Sequence, residues 1–153
     1  MNDFVFNANP VQASQRVPFR CIGCSKCCRH VRESVPLESL DLFRLAQYLK
    51  KQGVPVRGTD DVIERFAEPA MLDECGYFVL FLRVNGPDDA CIFLNGNQCS
   101  IHSVKPRACR MYPFVVDPQE DGSFKFLLSK EYEHHFCGTK VHVRTWVKKV
   151  LYR

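Results

Sequence analysis

Four cysteines fall within eight positions in the run Arg20-Cys21-Ile22-Gly23-Cys24-Ser25-Lys26-Cys27-Cys28-Arg29-His30. Cys-x2-Cys-x2-Cys spacing lets one loop wrap three thiolates round a single metal centre, and in such turns backbone N–H groups point at the sulfurs and stabilise their negative charge. The same spacing opens the ferredoxin-type cluster run, whose remaining ligand lies further along a chain. A zinc knuckle needs only two of these cysteines and a second pair elsewhere. The run therefore points to a metal and leaves zinc and iron both open.

Cys28 complicates that picture. On extended backbone, neighbouring side chains point to opposite faces, so Cys27 and Cys28 do not easily share a tetrahedral centre. Either Cys28 is a spare buried thiol or it turns towards a second site. Cys91, Cys99, Cys109 and Cys137 supply donors for one. If Asn95-Gly96-Asn97 is a three-residue loop, Phe93 faces Cys99 and Cys91 lies two residues away on the same face, within reach of a shared ion. A two-residue loop puts the two thiols on opposite faces. Cys109 follows the turn at Pro106, and Cys137 precedes Gly138, where a missing side chain lets backbone approach a cluster. Cys75, beside an apolar strand, reads as a core thiol. That leaves eight of the nine cysteines, or two sets of four.

Other side chains near these thiols bear on the chemistry. Arg29, Arg107 and Arg110 flank cysteines, where guanidinium groups would offset the charge of a thiolate-bound cluster and raise its reduction potential. His30, His102, His134, His135 and His142 could each bind metal, but thiolates already suffice, and they read as ordinary core or surface histidines. There is no nucleophile elbow, phosphate-binding glycine loop or dinucleotide fingerprint. A Cys–His nucleophile pair has no distinguishing signal among so many thiols.

The elements that must position the thiols follow from periodicity. Residues 1–18 are polar, show no period and read as a flexible lead-in. Leu37, Leu40, Leu45 and Leu49, with Phe43 and Ala46, predict a helix that begins near the acids Glu38 and Asp41 and ends at Lys50, Lys51 and Gly53. Residues 59–68 predict a short helix with Thr59 as N-cap, stopping before Pro69. Residues 75–86 read as a strand, and 90–102 and 113–130 as hairpins, the latter turning at Asp121-Gly122. One helical turn is expected from Pro106. In residues 139–153 an apolar stripe of Val143, Val147, Val150 and Leu151, with Trp146 at its edge, predicts a terminal helix docking on the body.

Bulk properties narrow the class. At 153 residues the chain is one domain by length and can bury a core without covalent help. A net charge of +4, with basic and acidic residues interspersed, gives no nucleic-acid footprint. The N-terminus lacks the apolar region of a secretory signal, and the longest apolar run, Tyr77 to Leu82, is too short to span a bilayer. An odd cysteine count in a chain of this size favours a cytoplasmic metalloprotein over a disulfide scaffold.

Four stretches, FRCIGCSKCCRHV, VPLESLDLFRLAQYL, CIFLNGNQCSIHSVKPRACRMYPF and FCG, resemble the YkgJ-type cysteine cluster family, the CxxCxxCC zinc- or iron-chelating domain. The resemblance covers residues 19–138. It implies Cys21, Cys24, Cys27, Cys28, Cys91, Cys99, Cys109 and Cys137 as the motif cysteines, and places Pro106, Arg107, Arg110 and Pro113 on family positions. Lys26 stands where the family commonly has glycine, His102 where it has an aromatic, and Glu38 where it has a Ser or Thr cap. A related branch, the flagellin lysine N-methylases, links such a motif to methyl transfer, but no further domain for a methyl donor is visible here. The expectation is a small single α+β domain, with helices on short antiparallel hairpins around a cysteine-rich metal centre. The body is 19–138, after the lead-in 1–18 and before a terminal helix in 139–153. Its cofactor is an iron–sulfur cluster or, alternatively, one or two Zn2+ ions. The iron–sulfur reading implies electron transfer or support of another enzyme, and the zinc reading a stapled module for protein or RNA.

Overall fold

A computed structural model describes residues 8–71, 76–129 and 133–152. Cys75 and Lys130, which the sequence assigns to a strand edge and a hairpin end, lie outside them. The chain begins with strands β1 (Ala8–Val11) and β2 (Arg16–Pro18). Helices α1 (Ser39–Lys51) and α2 (Thr59–Phe66) follow, then β3 (Ala67–Met71) and β4 (Phe78–Leu82). Four two-residue strands come next: β5 (Val84–Asn85), β6 (Ala90–Cys91), β7 (Leu94–Asn95) and β8 (Gln98–Cys99). Helix α3 (Arg107–Met111), β9 (Phe114–Pro118), β10 (Phe124–Ser129), β11 (Lys140–His142) and helix α4 (Val143–Leu151) complete the set. The fold is α+β, built of helices and short antiparallel strand pairs. No helix among the described residues is long and apolar enough to cross a membrane.

Two units divide the chain: a middle unit, Gly23–Arg110, and a terminal unit made of Met1–Ile22 and Met111–Arg153. In the middle unit α1 forms where the spacing predicts it. Leu42, Leu45, Ala46 and Leu49 recur at helical intervals and are all buried. The Asp41 carboxylate accepts the Glu38 N–H at 3.1 Å, the reciprocal half of a capping box. At the other end Gly53, at φ +77°, takes the left-handed conformation that stops the helix. Helix α2 is capped by Gly58 rather than Thr59. Its Asp61 folds back instead, accepting the Arg57 backbone N–H at 2.8 Å and the Arg57 guanidinium at 2.8 and 3.1 Å.

These bonds hold the Asp61 carboxyl down at about 2, the guanidinium contributing most and the Arg57 backbone N–H next. A carboxyl depressed in the folded state stabilises the fold above its unfolded value of about 3.9 and loses that contribution as pH falls through the folded value. Asp61→Asn is therefore expected to lower Tm at pH 7. The gap from the wild type should narrow between about pH 4 and pH 2 in thermal melts read by circular dichroism.

Strand β3 has no strand-like sequence, since Ala-Glu-Pro-Ala-Met lacks β-branched residues. It forms because β4 offers a template, in antiparallel register from Ala67 opposite Leu82 to Met71 opposite Phe78. Pro69 is accommodated because β3 pairs with β4 alone.

In the terminal unit β1, β10 and β9 form an antiparallel sheet, with β9 and β10 making the hairpin expected across Gly122. Residues 8–18 show no period in sequence, yet pair twice, β1 with β10 and β2 with β11. The terminal helix is shorter than 139–153, because residues 140–142 are taken by β11. Val143, Val147 and Val150 are buried as the stripe predicts, while Leu151 is 42% exposed. The first two pack with Val11, Val17, Phe114 and Leu128 to form this unit's core.

Candidate metal centre

The positions of Cys27 and Cys28 are fixed by a tight turn. Ser25 sits in the left-handed region at φ +62°, and its hydroxyl donates to Asn97 Oδ1 at 3.1 Å. Lys26–Cys28 then form a single 3-10 turn, closed by Cys28 N–H to Ser25 O at 2.9 Å and Arg29 N–H to Lys26 O at 3.2 Å. Arg29, His30 and Val31 then lace this turn to residues 88–96. Arg29 pairs with Asp88 and donates to the Gly96 carbonyl, His30 N–H reaches Asp88 O at 2.8 Å, and Val31 N–H reaches Asp89 O at 3.1 Å. The doubled cysteine is thereby tied to the segment that carries Cys91 and Cys99.

Cys27 and Cys28 do not lie on extended backbone as expected, and a 3-10 turn does not alternate its side chains. The Cys28 thiol donates a hydrogen bond to Cys27 sulfur. That bond is the main reason Cys27 is lowered to about 7, and Lys105 adds to it against the opposing effect of burial. For Cys28 the same bond raises the thiol well above its ordinary range, with burial and the nearby Cys27, Cys99 and Cys91 adding to it.

The 94–99 segment turns over two residues, Gly96 and Asn97, with Leu94 opposite Cys99 and Asn95 opposite Gln98. Gly96 at φ +61° supplies the positive φ that a primed hairpin turn needs at its first central position. This is the loop length that should have separated Cys91 from Cys99. They remain neighbours because residues 91–94 are not one continuous strand: β6 pairs with β5, and the chain turns at Ile92-Phe93 before β7.

Cys91 is buried, and its sulfur accepts the backbone N–H groups of Phe93 and Leu94, the pattern that stabilises a thiolate. Burial nonetheless pushes its thiol up to about 11, with Cys99 contributing. Cys109, four residues after Lys105, is pushed up to about 12 by burial first and then by Cys91; Cys99 and Cys27 add to this, and Lys105 opposes it. Cys27, Cys28, Cys91, Cys99 and Cys109 thus lie in one electrostatic environment, and Cys28, Cys99 and Cys109 pack against the buried cluster that includes Cys91, Leu45 and Phe93. The donor chemistry fits a soft metal: several thiols gathered in one place, with backbone N–H groups already aimed at one sulfur.

The three arginines are matched by carboxylates. Arg29 pairs with Asp88, and Arg107 pairs with Glu38 at 2.9 Å while its N–H donates to Asp41. Arg110 lies among Arg44, Asp41, Arg107 and Glu38, and burial lowers its pKa. The cation that acts on the thiols is Lys105, whose signal in the sequence is its place one turn before Cys109. Among the remaining cysteines, Cys24 is half-buried, and Cys21 and Cys137 in the terminal unit are exposed. No disulfide joins the eight described cysteines. Gly138, at φ +81°, does mark a close approach, because a side chain there would stand 3.3 Å from Arg20. Of the histidines, His142 caps α4, its Nδ1 accepting the Thr145 N–H at 3.4 Å.

Residues 20–138 match the CxxCxxCC family, described as "Putative zinc- or iron-chelating domain". The chain is similar to two proteins of Methanocaldococcus jannaschii. It is 26% identical to uncharacterized protein MJ0939 over 80% of the chain and 37% of that protein, and 30% identical to uncharacterized protein MJ0661 over 65% of the chain and 47% of that protein. It thus spans less than half the length of either relative. No solved structure matches it.

Proposed function

Because the chain belongs to the CxxCxxCC family of metal-chelating domains, we propose that its middle unit holds an iron–sulfur cluster on Cys28, Cys91, Cys99 and Cys109, for electron transfer or in support of another enzyme. The observation that carries this is the convergence of these thiols, with two backbone N–H groups already turned towards Cys91 sulfur. Bound there, a cluster supplies one-electron chemistry. Cys27, hydrogen-bonded to Cys28, borders the set. Cys21, Cys24 and Cys137 are proposed as donors beyond it. Arg29 acts as a brace, since its bonds to Asp88 and Gly96 keep the 25–31 loop against the Cys91–Cys99 segment. The dense cysteine run that ends at Cys28 supports iron, since it exceeds what a zinc knuckle needs.

Structural zinc is the second reading. It is favoured by the apolar cluster that Cys28, Cys91, Cys99 and Cys109 pack in, because structural zinc sites are closed and four-coordinate. Spectra and elemental analysis of protein purified without oxygen separate the two. Visible thiolate-to-iron absorption with iron and acid-labile sulfide is the expected result. A colourless protein with stoichiometric zinc would overturn the iron reading in favour of zinc.

A further inference from the structure

The terminal unit carries donors that the thiol centre does not use. Residues Glu133–His135 form a 3-10 turn in which His134 is exposed and His135 is 3% exposed. The two rings meet at 4.4 Å between centroids, and a ring nitrogen of each lies within 4.8 Å of the other. Tyr112 and Phe19 pack edge-on against the buried ring, at 5.6 and 6.5 Å. His135 Nδ1 lies 2.9 Å from the Tyr112 hydroxyl.

The backbone around the pair is held in place by the chain before Cys21. The Arg20 N–H donates to the His135 carbonyl at 3.2 Å, and the Phe19 N–H to Thr139 O at 3.4 Å. Cys21 and Cys137 therefore sit on two segments held side by side, and both are exposed.

A buried imidazole whose Nδ1 is engaged by a phenol has its ring orientation set. Metal-binding histidines obtain the same from the hydrogen bond of their second nitrogen. In the ligating tautomer Nδ1–H donates to the phenol oxygen and Nε2 carries the lone pair. We propose that His135, oriented by Tyr112, is a metal ligand in a nitrogen-donor site of the terminal unit, with His134 as its second donor and a zinc-class divalent ion as its occupant. The inference rests on the metal-chelating reading but adds nitrogen donors to what the sequence offers as a set of cysteines.

The full chain, stripped of metal under anaerobic conditions, is titrated with Co2+ as the probe and read by visible absorption. Tyr112→Phe is expected to weaken this site about 10- to 100-fold. His134→Ala should weaken it further, and Cys109→Ser should leave it in place. His135→Ala removes a buried ring and can unfold the unit, so the exposed His134 and the near-isosteric Tyr112→Phe carry the test, with circular dichroism reporting on the fold. Unchanged cobalt affinity in both would overturn the site. Metal lost with Cys109→Ser but not with the histidine and tyrosine variants does the same, while keeping the thiol centre. Metal lost with those variants but not with Cys109→Ser supports the site and overturns the thiol centre. A wild-type chain that takes up no cobalt overturns both.

Discussion

Replacing Cys28 with serine is expected to empty the metal centre of residues 23–110 while metal elsewhere on the chain stays bound. Cys28 is the member of the doubled pair whose thiol is raised by Cys27, Cys99 and Cys91 together, so it faces the donors of this unit. Serine keeps the size and removes the soft ligand. Elemental analysis should show the loss of one centre's complement, and stability should fall with it. At a free-metal concentration 1,000 times Kd, a site bound only in the folded state contributes about 4 kcal/mol, which the variant forgoes. Loss of all the metal, or of none, would contradict this division of the cysteines.

The second large effect lies in the packing behind those thiols. Leu45 on α1 is 0% exposed and belongs to the same buried cluster as Cys91. Leu45→Ala leaves a cavity that neighbouring helix and strand residues close only partly, at a cost of about 2–5 kcal/mol. On the same helix Leu40 is 42% exposed, and Leu40→Ala should change stability by no more than about 0.5 kcal/mol. Urea unfolding of both variants checks the contrast. Equal midpoints would mean that α1 does not pack as described.

Helix α1 was legible because three independent signals agree on it: the apolar period, the acids at its start and the glycine after its end. Strand β3 was not, since its five residues carry no strand preference and exist as a strand only through pairing with β4. Strand β11 merges with the terminal helix in sequence, because residues 140–142 run into the helical stripe at Val143 with no glycine or proline between them. What separates them is the pairing of residues 140–142 with residues 16–18, far away in the chain. The metal-binding character could be read directly from the cysteine spacing. How the thiols group could not, because it depends on a 3-10 turn at Cys27-Cys28 and a chain reversal at Ile92-Phe93. Neither leaves a periodic trace. Lys105 and Tyr112 escaped for a similar reason: one acts through charge and the other through a single hydrogen bond.

The division of the chain also sets an order on its synthesis. The middle unit is one uninterrupted segment, and the pairing partners of strands β3 to β8 have all been made by the time Arg110 joins the chain. The terminal unit cannot close then, because β2 must wait for Lys140–His142 and β1 for Phe124–Ser129. Cys27, Cys28, Cys91, Cys99 and Cys109 can therefore come together on the ribosome before the last third of the chain exists. Cys21, translated before any of them, is among the last cysteines to gain its neighbouring segment.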